Sequence, residues 1–440
     1  MTVQDLPFPY RALAWLSLFT AILLVYGSLV PFEFRALPLA AAIDRFAHIP
    51  WLDIVIEERA DWVANLILYV PFGFVLCGAL SGRSLFLAML LTAVSGTLLA
   101  VGIEFLQIWA EPRTVSLNDI AAEIAGTLLG IAAWASFGRR LVRAAQVVLR
   151  GGPQALPAAL IFYLLAYCFI TLFPFDFLVS AAELHARLAD PDTLVWLPRT
   201  TFSLRGIAAL GLKAALLAPL GMALWLVWGR GALAAAAVAL TLSGLLELAH
   251  LFEYSEQTDA LSLVAAMVGA VAGNLLARSP VLHERRLLSW VRGAAFLAAP
   301  LYLALLPIAR GWRSGHVSRA LIANTIATTH WLPFYYHYFT SEGHALASVV
   351  SISASFAPLG ALAWAMRLEP NAPRGQTRSV LPVAIVAFVL ANGLEIGGLI
   401  TAGNRPDPTN VLIAMAVAVF AQRVCEWLER VIGELPVAAR

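Results

Sequence analysis

Twelve stretches of this chain are each long and apolar enough to cross about 30 Å of hydrocarbon, and no other feature narrows the fold as far. They lie near residues 12–30, 61–80, 84–109, 117–137, 156–173, 203–228, 231–252, 258–277, 290–309, 343–366, 379–402 and 408–428. A backbone crossing lipid must satisfy its own amides, so the spans are read as helices and the expected fold is an all-α polytopic membrane protein. Composition agrees, because 60% of the 440 residues are apolar and only 13% charged, against about 25% charged in soluble domains. An ordinary soluble enzyme is thereby excluded. The first apolar run, at 19 residues, exceeds a signal-peptide core and is read as an uncleaved span. With a net charge of +2 and no basic stripe, no nucleic-acid partner is expected. Cys77, Cys168 and Cys425 stand too far apart in sequence to predict a disulfide framework or a zinc cluster.

Cations set the orientation. The termini, the linkers 138–155, 278–290 and 367–378 and the turns at Arg83 and Arg230, with the helix ends beside them, hold 17 of the 28 arginines, and the other side holds 11. That asymmetry predicts both termini in the cytoplasm of a bacterial inner-membrane protein, with segments 31–60 and 174–202 outside. The cluster Trp331, Phe334, Tyr335, Tyr336 and Tyr338 is then placed at the outer interface.

Proline, tryptophan and glutamate mark an internal repetition. A helix ends at Pro31, Pro174 or Pro307, and 20 to 24 residues later Trp-Leu follows at Trp51, Trp196 and Trp331. The next helix is interrupted by Pro-x-Gly at Pro71/Gly73, Pro219/Gly221 and Pro358/Gly360. The third carries Glu104, Glu247 or Glu395, with Asp119, Ser262 or Asn410 fifteen residues beyond. Three four-helix units are expected, at 1–150, 151–285 and 286–440, and an even helix number gives all three the same orientation in the bilayer. Each proline removes an amide, so a helix kink is expected at Pro71, Pro219 and Pro358, with a freed carbonyl such as that of Ile67. The pairs Gly126/Gly130 and Gly269/Gly273 are read as close helix contacts.

The first unit holds the fullest polar set: Asn65, Glu104, Gln107, Arg113 and Asp119. The topology brings all five to the outer side. A carboxylate within a span costs about 2.5–3.5 kcal/mol on insertion scales, so Glu104 requires a partner or a wet cavity, and Arg113 is the nearest candidate. Two roles stay open for the set: a ligand or catalytic pocket, or polar glue between three helix ends. Ser116-Leu-Asn-Asp119 has the form of a variant capping box, and Asp407 before Pro408 that of an N-cap with proline at the first helical position. Lys213, the sole lysine, stands where the first unit has Asn65, and either Glu247, Glu104 or snorkelling to the surface accounts for it. His250 takes the place of Gln107, Glu256 that of Arg113, and Ile352, Gly398 and Asn404 fill the corresponding places of the third unit, with Arg405 adjacent. The run from Gly206 to Lys213 misses a phosphate loop by one residue and lies inside an apolar helix. His330, His337 and His344 recur at seven, but two helical turns and Pro333 separate them, so neither a shared metal ion nor any cofactor is expected.

These residues carry a resemblance. The run from Asn65 through Pro71 to Gly73, Glu104-Phe-Leu-Gln107, Arg113 and Asn118-Asp119 leading to Gly126 and Gly130 resemble the VanZ-like family over about residues 28–137. The later units resemble it only in the proline–glycine kink and the glutamate. Glu123 departs from the pattern, standing where the family usually has asparagine. The family is named for low-level resistance to the glycopeptide teicoplanin, so the resemblance implies a membrane protein of the cell envelope. The leading expectation is an outward-facing pocket formed by the five residues, binding an anionic or amphiphilic lipid or lipid-linked envelope molecule, with Arg113 holding the anionic group. The alternatives are an intramembrane acid/base enzyme using Glu104 with Asp119, and a scaffold for other membrane proteins.

Overall fold

The computed structural model describes residues 8–52, 59–111, 113–173, 175–178, 180–189, 194–195, 203–254, 258–279, 285–312, 317–340, 342–368 and 378–434. Pro174, Trp196 and Glu256 lie outside the described residues. The chain forms α1 (Tyr10–Leu29), α2 (Leu39–Ala47), α3 (Arg59–Leu80), α4 (Leu85–Gln107), α5 (Leu117–Ala133), α6 (Arg139–Arg150), α7 (Ala155–Thr171), α8 (Ala181–Ala189) and α9 (Leu204–Trp228). It continues with α10 (Ala232–His250), α11 (Ala260–Arg278), α12 (Arg285–Ala309), α13 (Arg319–Ala327), α14 (Tyr335–Tyr338), α15 (Glu342–Met366), α16 (Leu381–Ala402) and α17 (Pro408–Glu434). Among the described residues the only strands are β1 (Leu194–Val195) and β2 (Thr258–Asp259), paired in parallel.

Among the described residues eleven helical runs are long and apolar enough to cross a membrane, one of them Leu117–Arg150, in which α5 continues through a π-helical turn into α6. The twelfth expected span is α7, whose 17 residues reach about 26 Å at 1.5 Å per residue, just short of the hydrocarbon thickness. Large apolar side chains point outward, among them Trp15, Leu98 and Leu233, as lipid-facing surfaces require. The protein is an all-α polytopic membrane protein. Two features differ from the expected linkers. After α5 the chain passes through a π-helical turn, Trp134–Gly138, into α6, which carries Arg139, Arg140, Arg143 and Arg150 and has no buried residue. Short helices α2, α8, α13 and α14 also occupy the long connections, and Arg59 at the start of α3 clasps Glu183 of α8 at 2.8 and 2.9 Å.

The chain packs as two compact units, one of Met1–Arg150, Pro157–Leu217 and Ala236–Gly269, the other of Gly151–Leu156, Ala218–Ala235 and Ala270–Arg440. Within them one kind of contact recurs. A methyl group added at Gly126 would lie 2.0 Å from Leu66 O, at Gly130 2.3 Å from Val70 O, at Gly269 1.9 Å from Ala214 O and at Gly273 2.0 Å from Ala218 O. The glycines after the helix prolines return the contact: Gly73 abuts Thr127 O, Gly221 abuts Ala270 O and Gly360 abuts Ala418 O, at 2.3, 1.8 and 2.1 Å on the same measure. Backbone meets backbone because no side chain intervenes, the geometry expected where dispersion rather than the hydrophobic effect joins helices in lipid.

The proline positions are served from a neighbouring helix. Tyr163 of α7 donates to Leu216 O at 2.5 Å, three residues before Pro219, and Tyr302 of α12 donates to Ser355 O at 2.7 Å, three residues before Pro358. Each accepting carbonyl lies one residue past the one whose amide partner the proline removes, Ala215 or Ala354, so both hydroxyls bond beside the break. The caps agree with their sequence signatures as well: Asp119 N donates to Ser116 Oγ at 3.1 Å, and Thr409 N donates to Asp407 Oδ1 at 2.8 Å behind Pro408.

Candidate functional site

The polar set of the first four spans collects where α4 ends and α5 begins. Glu104 reaches the foot of α5, accepting from Ser116 N at 3.3 Å. Ser116 Oγ donates to Asp119 Oδ2 at 2.7 Å, and Asn65 of α3 donates to Asp119 Oδ1 at 2.8 Å. Gln107 donates to Ser28 O at the end of α1 at 2.8 Å. Arg113 donates to Gly27 O at 2.8 Å and Val30 O at 3.2 Å, and its charge acts on Glu104. Leu52 and Asn118 exchange hydrogen bonds of 2.8 and 2.9 Å, which hold the Trp51 segment along the start of α5. Glu104, Gln107, Ser116 and Asn118 are buried, while Asn65, Arg113 and Asp119 are half-buried.

The central hydrogen bond occurs three times. Asp259 N donates to Glu247 Oε2, and Asp407 N donates to Glu395 Oε2, each at 3.0 Å and each twelve residues past its glutamate, as Ser116 is past Glu104. The other carboxylate oxygen of Glu247 accepts from Ser262 Oγ, and that of Glu395 accepts from Asn410 Nδ2 at 2.8 Å. A cation stands near each acid but comes from a different element: the loop residue Arg113, Lys213 of α9 at 4.0 Å from Glu247, and Arg310 beyond α12 at 3.9 Å from Glu395. Of the partners open to Lys213, Glu247 is therefore the one it faces. His250 lies 3.1 Å from Thr171 O, the counterpart of the Gln107–Ser28 bond, and 3.6 Å from Glu247. Near Glu395, Gly398 has no side chain to reach back, and the Trp312 indole packs on Gly397 and donates to Leu394 O at 3.0 Å.

Sequence reasoning passed over several polar groups at these ends. Glu123 drew notice only as a departure from a pattern, yet it is buried beside Tyr69 and near Glu104 and Asp119; its signal was the one-turn spacing from Asp119. Arg310 was hidden by sequence distance from Glu395, and buried Glu253 and Asp176 by their loop positions. Of the spaced histidines, His330 stacks on Tyr335 at 4.0 Å and His337 faces Asp407 at 3.6 Å. Among the described residues no group of three or more metal-ligating side chains forms. A cavity of about 460 Å³ lies elsewhere, between α12, α15 and α16, and its lining is almost wholly apolar.

Residues 6–138 match the family model described as VanZ/LLP1, so the first four spans are VanZ-like. Neither the curated proteins nor the solved structures include a match to the chain.

Proposed function

We propose that the VanZ-like segment of this multi-pass membrane protein forms an outward-facing pocket that binds the anionic head group of an amphiphilic or lipid-linked envelope molecule. The observation that carries this reading is the difference between floor and rim. Glu104 and Gln107 are buried and committed to an amide and a carbonyl of the protein, whereas Asn65, Arg113 and Asp119 keep open surface at the same end. Arg113, already oriented by the carbonyls of Gly27 and Val30, supplies the cation for a phosphate or carboxylate. Asn65 and Asp119 supply polar contacts to neighbouring hydroxyls. The distribution of arginines supports cytoplasmic termini in a bacterial inner membrane, and three four-helix units of one design account for the recurring glutamate brace and glycine contacts. Envelope transport or glycopeptide protection follows if the bound molecule is a cell-wall intermediate.

A second reading has its own support. Because the glutamate-to-amide bond recurs at Glu247 and Glu395, Glu104 serves as a brace between helices, and a scaffold would need no more. Purification in mild detergent followed by mass spectrometry of retained lipids separates the two. Pocket binding predicts an anionic amphiphile enriched in the wild type and depleted in Arg113→Ala at unchanged thermal stability. Equal lipid content in both proteins would leave only the scaffold.

A further inference from the structure

We infer that Glu123 and Tyr69 form a proton-exchange site inside the first four spans, one helical turn below the rim and linked to it through Asp119 and Glu104. Asn65 and Tyr69 lie one turn apart on α3, as do Asp119 and Glu123 on α5, so the two helices face each other with two polar rungs. The upper rung is closed by the Asn65–Asp119 bond of 2.8 Å. The lower is formed by Glu123 and Tyr69, 3% and 1% exposed, which face each other and have no hydrogen-bond partner outside the pair for Glu123 Oε2 or the Tyr69 hydroxyl.

Packing does not require this pair. Two residues before Pro219 and Pro358 stand Leu217 and Phe356, and nineteen residues after Glu247 and Glu395, as Glu123 is after Glu104, stand Ala266 and Ala414. All four are buried, so the same depth is filled elsewhere in the chain without a polar atom. A carboxyl group placed within a span at a cost of about 2.5–3.5 kcal/mol, where alanine would pack, marks a functional position, and proton relays are a principal use of such groups.

The groups facing Glu123 define the route. Tyr69 comes from α3, Glu104 from α4 and Asp119 from α5 itself, with Arg113 acting on Glu104 from the loop. α1 presents the carbonyls of Gly27, Ser28 and Val30 to Arg113 and Gln107. In this proposal a proton exchanges between water at the rim and Glu123 past Asp119 and Glu104, each transfer breaking one O–H bond and forming another with no redox change. The Glu123–Tyr69 pair lies below the head-group pocket and shares only Glu104 and Asp119 with it, and its test needs no ligand.

That test is infrared difference spectroscopy of the full chain in nanodiscs of phosphatidylethanolamine and phosphatidylglycerol, titrated with pH in water and in deuterium oxide. The expected result is a protonated-carboxyl band that shifts in deuterium oxide, titrates, and disappears in Glu123→Gln. Carboxyl bands unchanged by Glu123→Gln, or a Glu123 band that never titrates while the protein stays folded, would overturn the inference. Should Glu123→Gln fail to fold, Tyr69→Phe decides: the titration midpoint must move, and an unmoved midpoint refutes the site.

Discussion

Replacing Gly126 by alanine inserts one methyl group between α5 and α3, and its consequence can be worked out from the structure. The new carbon would sit 2.0 Å from Leu66 O and 3.0 Å from the Tyr69 Cβ. Carbon atoms do not approach within 3.0 Å, so α3 and α5 must part by at least 1.0 Å, and the obstacle is backbone that no rotamer change can move. Overpacking of this kind costs about 1–3 kcal/mol. The same displacement stretches the 2.8 Å Asn65–Asp119 bond between those helices, with a loss near the 0.6 kcal/mol average for hydrogen bonds in membrane proteins. Alanine returns up to about 1 kcal/mol of helix propensity, leaving a net destabilisation of roughly 1–3 kcal/mol. Gly102 is the control, since a methyl group there meets nothing within 4 Å, and Gly102→Ala should be neutral or stabilising by up to about 1 kcal/mol. Unfolding in mixed micelles by dodecyl sulfate titration, read by tryptophan fluorescence, measures both. Equal responses of the two variants would refute the contact geometry from which the difference is derived.

Three further outcomes are expected from the same assay. Tyr302→Phe should lose about 0.6–1.7 kcal/mol through the bond to Ser355 O; unchanged stability would show that this bond between α12 and α15 contributes nothing. Glu395→Ala leaves the half-buried Asp407 amide without its charged acceptor and should cost about 1–3 kcal/mol, whereas Glu395→Gln keeps one acceptor oxygen and should cost less. Lys213→Met and Glu247→Gln in a double-mutant cycle should couple by about 1 kcal/mol, because Lys213 keeps 43% of its side-chain surface and falls short of the roughly 3–5 kcal/mol of a fully buried pair; zero coupling would leave snorkelling as its explanation.

The spans were legible in the sequence because hydrocarbon thickness fixes their length, and the glycine pairs because only a missing Cβ admits backbone contact. Capping at Ser116 and Asp407 was legible too, since both motifs are local. Three kinds of feature were not. The short helices α2, α8, α13 and α14 lie where hydropathy carries no length signal. The tyrosines at the proline breaks act across more than fifty residues, and nothing near Pro219 announces Tyr163. The cations come from different elements: Arg113, Lys213 and Arg310 stand near Glu104, Glu247 and Glu395 from a loop, from α9 and from the residue after α12, so spacing along the sequence finds Lys213 but not Arg310. Glu123 was visible as a residue, but its pairing with Tyr69 required the packing of α3 against α5.

The location of the polar set relative to the two sides of the membrane bears most directly on its role. Thr114, exposed in the loop beside Arg113, offers the probe: a Thr114→Cys variant, in a background where Cys77, Cys168 and Cys425 are replaced by serine or alanine, treated with a membrane-impermeant maleimide. Labelling in intact cells is predicted if the proposed pocket opens to the outside. Labelling only after the membrane is made permeable would put the loop in the cytosol and contradict an envelope-facing site.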